Sequence, residues 1–295
     1  MTAQNISYSV FQKVRHPFIS SRNEEKCEAI VQIKSQGIRI LILSKFHFEI
    51  LALDDIQFTK ELDFSSQISQ FQHYIAESSL SELKIDKIWF CYSPQYFCLL
   101  PEALFDEKKA ELALLQICEI PFFYSIKFSD VKNGAKIVYA LPKVWEEWTV
   151  QLFGSSEVAW ICNHAGFLED GLQISSGSEK PIHIGQIEND QIFCGVFLDD
   201  KLLFFNRFSY KSENDLLYFC LLVMEENQMV PETDRFIITG SLLPGSMGME
   251  KLSRYLGAME FARPIHSIPF EKEFEVLKHH NYFDLMSQAA YIQGL

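Results

Sequence analysis

The order of short apolar runs in this chain occurs twice. Between residues 29 and 92 it reads as three strand-like runs, a helix and a fourth strand. The same order returns between 182 and 239, about 150 residues further on. The first set is 29–33, 38–43 and 46–53, separated at hairpin spacing by Gly37 and by Ser44-Lys45. Asp54-Asp55 is read as the turn that ends this meander. A helix over 65–78 follows, with Ile68, Phe71 and Ile75 on one face, and then an apolar strand over 87–92. The second set is 182–187, 192–198 and 202–208, joined by Glu188-Asn189-Asp190 and Asp199-Asp200. Ser212, with Asp215 three residues on, gives a capping-box-like start to a helix over 215–226. That helix is apolar on nearly every side, which predicts deep burial; a strand over 235–239 completes the set.

Other elements fall around the two sets. Leu99-Leu100-Pro101 precedes a helix expected over 106–118. A strand over 137–141 leads into Pro142, suited to the first position of a helix that runs to about residue 152. The run 158–161 reads as the last strand of this half, and the Ser/Gly-rich stretch 173–180 as a loop or lobe boundary. The expected domains are therefore 1–175 and 176–295. Further on, 240–248 reads as a loop, 249–256 as a helix and 271–292 as a terminal helix. Residues 1–26 are polar and suit an arm or a first edge segment.

Three meandering strands, a crossover helix and a parallel fourth strand make the core of a ribonuclease-H-like unit. The fold class expected here is α/β, with two similar ribonuclease-H-like lobes (β-β-β-α-β repeated), the architecture of the actin-like ATPase superfamily. The competing reading is any two-domain α/β protein with meanders. Hydrophobic residues make up 48% of the chain, with 26 Phe, so a large core needs no metal or disulfide.

Charge narrows the partners. There are 26 basic and 39 acidic residues, a net of -13, which opposes phosphate backbones and anionic lipid surfaces. Lys108-Lys109 and Lys278-His279-His280 are too short to supply a nucleic-acid footprint. The expected partner is a protein, with no nucleic acid and no membrane insertion. The longest apolar run, 216–224, falls far short of the ~20 residues that span a bilayer, and residues 1–25 lack the apolar core of a signal peptide. Seven cysteines, an odd number with no C-x-x-C pair, suit a reducing compartment, so the expected location is cytoplasmic.

Two stretches carry a closer likeness. Leu99-Leu100-Pro101-Glu102-Ala103-Leu104-Phe105-Asp106-Glu107 resembles the L-V-P-x-x-L-F-D signature of an uncharacterised Bacteroidetes family with an actin-like fold. Asn206-Arg207-Phe208-Ser209-Tyr210, followed by Asp215-Leu216-Leu217-Tyr218-Phe219, is similar to that family's N-x-F-x-Y and D-x-x-Y segment. The resemblance implies the fold and a bacterial origin, and it assigns no chemistry. The same residues have a packing role: Leu104 and Phe105 would anchor a helix start, and Phe208, Tyr218 and Phe219 would join strand to helix in the core.

The superfamily also implies where a ligand would sit. Actin-like ATPases hold nucleotide between the lobes, where a tight turn in each lobe carries Asp and Gly for phosphate and magnesium. Here the first turn, Lys34-Ser35-Gln36-Gly37, keeps a glycine without an acid. The second, Glu188-Asn189-Asp190-Gln191, keeps acids without a glycine. Phe236-Ile237-Ile238-Thr239-Gly240-Ser241 looks like a reduced form of the loop that packs on adenosine. The candidate binding residues are thus Gly37, Asp190, Gly240 and Ser241, and the cofactor they imply is ATP with magnesium on degenerate motifs. Gly240 and Gly245 have P-loop spacing, but Ser246-Met247 replaces the Lys-Ser/Thr that grips phosphate.

No catalytic or metal set stands out. His183 reads as a satisfied core or sheet histidine, and His279-His280 lie side by side on a helix and cannot face one site. The acidic pairs Asp54-Asp55, Asp199-Asp200, Glu146-Glu147 and Glu225-Glu226 read as turns and solvated helix faces. The function expected is that of a non-catalytic actin-like pseudo-ATPase in protein interaction or assembly. Two alternatives stand beside it: a divergent nucleotide-binding ATPase or kinase using the interlobe cleft, and a small-molecule module in the same cleft.

Overall fold

The computed structural model describes residues 6–17, 19, 26–132, 134–153, 157–242, 245–266, 268–269 and 272–294. Residues 1–5 and 20–25 of the N-terminal arm lie outside them. The chain forms two compact units, residues 1–165 with 268–276, and residues 166–267 with 277–295.

Unit 1 is built on a six-stranded sheet. Its strands are β1 (Tyr8–Arg15), β2 (Cys27–Lys34), β3 (Gly37–Ser44), β4 (Ile50–Phe58), β5 (Ile85–Tyr92) and β9 (Glu157–Cys162). They lie in the order β1-β4-β3-β2-β5-β9, with β2, β5 and β9 parallel. The crossover from β4 to β5 is α1 (Phe64–Glu77), whose first turn is capped by Asp63 accepting from the Ser66 amide at 2.7 Å. Between β5 and β9 the chain adds a three-stranded sheet of β6 (Phe97–Pro101), β7 (Tyr124–Val131) and β8 (Ala135–Pro142), ordered β6-β8-β7. A short helix α2 (Ala110–Leu115) covers one of its faces through Leu114, against Cys98 and Val138, and α3 (Lys143–Phe153) then leads into β9.

Unit 2 repeats the plan. Strands β10 (Ile182–Glu188), β11 (Gln191–Leu198), β12 (Lys201–Ser209), β13 (Arg235–Gly240) and β14 (Ala258–Phe261) lie in the order β12-β11-β10-β13-β14. Here β10, β13 and β14 are parallel. The crossover is α5 (Glu213–Glu226), with the full capping box between Ser212 and Asp215. Helix α6 (Met247–Tyr255) joins β13 to β14. Two further helices, α4 (His164–Ser175) and α7 (Phe283–Gln293), belong to the same unit apart from the first two residues of α4. The doubled β-β-β-α-β core is thus present in both units with the same strand order.

Several elements depart from the sequence reading. Asp54 and Asp55 are not a turn: they sit inside β4, 0% and 3% exposed. Burial is possible because Arg15 from β1 pairs with Asp54 and Arg39 from β3 pairs with Asp55 at 3.0 Å. Helix α5 is buried on one face only, through Leu216, Leu217, Cys220, Val223 and Met224, each larger apolar side chain contributing about 1.5–3 kcal/mol. Tyr218 on its other side is 58% exposed. The helix expected over 106–118 shrinks to a 3-10 turn at Glu107–Lys109 and α2, and the one expected over 271–292 breaks into two 3-10 turns before α7. Leu104 does not anchor a helix start, being 75% exposed, whereas Phe105 packs 4.9 Å from Phe128 and Phe208 stacks 4.8 Å from Phe219.

Candidate functional site

In open sheets with parallel strands, ligands collect where the carboxyl ends of those strands meet. In unit 2 these ends belong to β10, β13 and β14. Gly240, the last residue of β13, pairs with Ile187 of β10. Its φ of +93° favours glycine, and a Cβ there would lie 2.0 Å from the Ile187 carbonyl oxygen. Ser241 donates its amide to that same oxygen at 2.9 Å and its hydroxyl at 3.2 Å. Thr239, one residue earlier, donates its hydroxyl to the His280 carbonyl at 2.8 Å. Asp190 is exposed in the β10–β11 turn, beside Asn189 with φ +53°, and its carbonyl accepts from the Tyr210 amide at 2.8 Å. The Tyr210 hydroxyl donates to the Asn189 carbonyl. Burial raises the pKa of that hydroxyl, and the negative charges of Asp190 and Glu213 add to the effect.

The corresponding end of unit 1 has the same backbone plan. Ile33 of β2 pairs with Tyr92 of β5, and the Ser93 amide donates to the Ile33 carbonyl at 3.3 Å, as Ser241 does to Ile187. Buried Gln32 donates to Asn163 at 2.6 Å, and Asn163 donates to the Ser93 hydroxyl at 3.0 Å. Its own amide reaches the Tyr92 carbonyl at 2.8 Å. Gln186 stands in unit 2 where Gln32 stands in unit 1, equally buried, and donates to Glu188.

Asp190, Gly240 and Ser241 therefore share one end of the unit 2 sheet, while Gly37 belongs to unit 1. Gly37 opens β3 against β4, where a Cβ would meet the Ile56 carbonyl oxygen at 2.3 Å. Both strand-associated glycines thus answer to close backbone approach. The Gln-Ile pairs at 32–33 and 186–187 escaped the sequence reading. Their signal was the same dipeptide at nearly the same distance before each first hairpin turn.

Chemically, the unit 1 end offers amides and hydroxyls bonded to one another. Among the described residues no three His, Cys, Asp or Glu side chains come together as a metal site. His183 is in the core as expected but is not satisfied: neither ring nitrogen has a hydrogen-bond partner, and the ring lies 4.7 Å from Phe236. Burial pushes its pKa down to about 3.

Residues 17–258 match the sequence profile of a family described as "Protein of unknown function (DUF3822)". The chain belongs to the DUF3822 family. No curated protein matches its sequence. Among solved structures, the DUF3822 chain is similar to a Bacteroides thetaiotaomicron protein with an actin-like ATPase fold and unknown function, at 17% identity and a TM-score of 0.71. That match covers 93% of this chain and 98% of the other. It is also similar to the PilM-PilN type IV pilus biogenesis complex, at 10% identity and a TM-score of 0.59, covering 88% and 97%. The DUF3822 chain has the actin-like ATPase fold. No helix among its described residues is long and apolar enough to cross a membrane.

Proposed function

We propose that this chain is a non-catalytic actin-like protein that works in protein interaction or assembly. The observation that carries the reading is the use of Ser241: its amide and its hydroxyl both go to the Ile187 carbonyl. A phosphate-binding loop needs backbone N–H groups turned outward. At the loop after β13, the amide next to the glycine is turned inward to close the sheet end. The turn 34–37 of unit 1 brings no carboxylate that would hold magnesium through water.

Support for a protein partner comes from the stretch 112–123. Leu112, Leu115, Ile117 and Phe123 are exposed there, and Phe122 is 89% exposed, the kind of apolar surface that marks interaction sites. The PilM-PilN neighbour, itself a complex, fits this reading. All seven cysteines are free thiols, which suits a reducing compartment, and we place the protein in the cytoplasm.

Equilibrium dialysis against Mg-ATP and Mg-ADP tests the proposal. The reading expects no saturable uptake at millimolar nucleotide. Saturable uptake that weakens on Asp190→Asn would favour the divergent ATPase or kinase instead, with Gly37, Asp190, Gly240 and Ser241 as its contacts.

A further inference from the structure

The inserted sheet of unit 1, ordered β6-β8-β7, ends on β7 as an edge strand. Its eight residues pair with β8 without a register shift. Folded proteins commonly blunt such edges with a bulge, a short strand, a proline or a solvated charge. The edge strand β1 carries a bulge between Val10 and Gln12, and β12 is irregular opposite Val196 and Phe197. The edges β14, β6 and β9 have four, five and six residues, and β6 ends in Pro101. On β7 both charged side chains are engaged, Lys127 with Glu146 and Asp130 with Lys136. Of the described edge strands, β7 is thus the longest that keeps a regular edge.

The pairing fixes which backbone groups face outward. One residue before β7, the Phe123 carbonyl accepts from the Lys143 amide at 2.9 Å. Antiparallel pairs alternate, so Ser125 and Lys127 turn their N–H and C=O groups to β8, while Ile126 and Phe128 turn theirs away. Two details agree. Pro142, which has no N–H, stands opposite Tyr124, and Ala140, opposite Ile126, sends its amide to the Tyr96 carbonyl at 3.0 Å on the β6 side. No hydrogen bond among the described residues reaches the outward groups of Ile126 and Phe128.

Beside them lies an open cleft of about 410 Å³, with Glu107, Ala110 and Glu111 on one side and Tyr124, Ile126 and Phe128 on the other. No residue of β6 or β8 lines it, so it follows the outer edge of β7. A helix bonds its backbone groups internally and a hydrocarbon chain has none, so neither can pair with this edge. An extended backbone matches it at the strand repeat. The charges around the cleft balance, Glu107 and Glu111 against Lys108 and Lys143, which disfavours a strongly charged ligand. Exposed Phe122 and Phe123 run straight into β7 and continue the surface with apolar contacts. From this geometry we propose that β7 takes an extended segment of a partner protein as an added strand, a site that rests on the proposed role in protein interaction.

Capped pentapeptides of the form Thr-x-Thr-x-Thr, with valine, leucine or phenylalanine at x, are the probes. They are titrated into the full chain to millimolar concentration and followed by backbone amide hydrogen exchange. In the unliganded chain the Ile126 and Phe128 amides should exchange faster than those of Ser125 and Lys127. At least one peptide should bind saturably and slow exchange at both outward amides. Methylating one alternate set of its amide nitrogens should weaken binding by about tenfold or more, and methylating the other set should not. Ile126→Pro removes one outward N–H without touching the ladder to β8, so it should weaken binding to a similar degree. The methylated peptides decide alone if that variant folds poorly. The proposal is overturned if no peptide binds, if both methylated forms bind like the parent, or if the outward amides stay unprotected in the complex. Sedimentation showing a dimer of this chain that Ile126→Pro dissociates would overturn it too. Failure of the peptides without nucleotide uptake would sink this site and leave the non-catalytic reading standing; saturable nucleotide uptake would sink that reading instead.

Discussion

Arg15 holds the buried carboxylate of Asp54 with both terminal guanidinium nitrogens, Nη1 on Oδ1 and Nη2 on Oδ2, the latter at 2.7 Å. Tyr74 of α1 donates its hydroxyl to Oδ2 at 2.7 Å, so one carboxylate ties the edge strand β1 and the crossover helix to β4. Removing the cation would strand a buried charge. Arg15→Met should destabilise unit 1 by about 3–5 kcal/mol, and adding Asp54→Leu to it should recover much of the loss. Urea unfolding of the two variants checks this.

His183 makes stability depend on pH. The unfolded chain takes up a proton near the ordinary histidine pKa, whereas the native ring, its pKa held at about 3 by burial, does not. Acid therefore favours the unfolded chain between roughly pH 6.5 and 3, by up to about 1.4 kcal/mol per pH unit, and above that window the effect vanishes. His183→Leu should flatten this part of the profile and gain stability relative to the wild type as the pH falls. Denaturant midpoints from pH 7 to 4 measure it.

Gly240 and Gly177 separate two reasons for keeping a glycine. Both have positive φ, +93° and +71°, but a Cβ on Gly177 meets nothing within 4 Å. Gly177→Ala should cost only the left-handed backbone penalty, about 1–2 kcal/mol. Gly240→Ala adds a clash with the Ile187 carbonyl, and it should be clearly the more damaging in the absence of any nucleotide. Equal losses in thermal unfolding would contradict the close-approach argument.

The doubled core was legible because each set of strands and helix leaves its own local signal: alternating or continuous apolar runs, a two-residue turn, a capping box at Ser212. The parts that escaped depend on contacts far away in the chain. Helix α4 was hidden by Gly166 and Gly171, which lower helix propensity. Both are there because a Cβ would meet the Ser287 backbone at 2.5 Å and the Phe197 ring at 2.2 Å. Asp54 looked like a turn residue because its cation lies 39 residues away in sequence. At the site, Gly240 and Ser241 stood out as a loop because a glycine follows an apolar strand. That Ser241 directs its donors inward was not legible, since only the pairing of Ile187 with Gly240 brings the accepting carbonyl close.

The central claim, an actin-like fold without a working phosphate site, is tested most directly by thermal unfolding of the wild-type chain in millimolar Mg-ATP and Mg-ADP. The account predicts the same Tm with and without nucleotide. A rise of about 5 °C or more, saturating with nucleotide concentration, would contradict it.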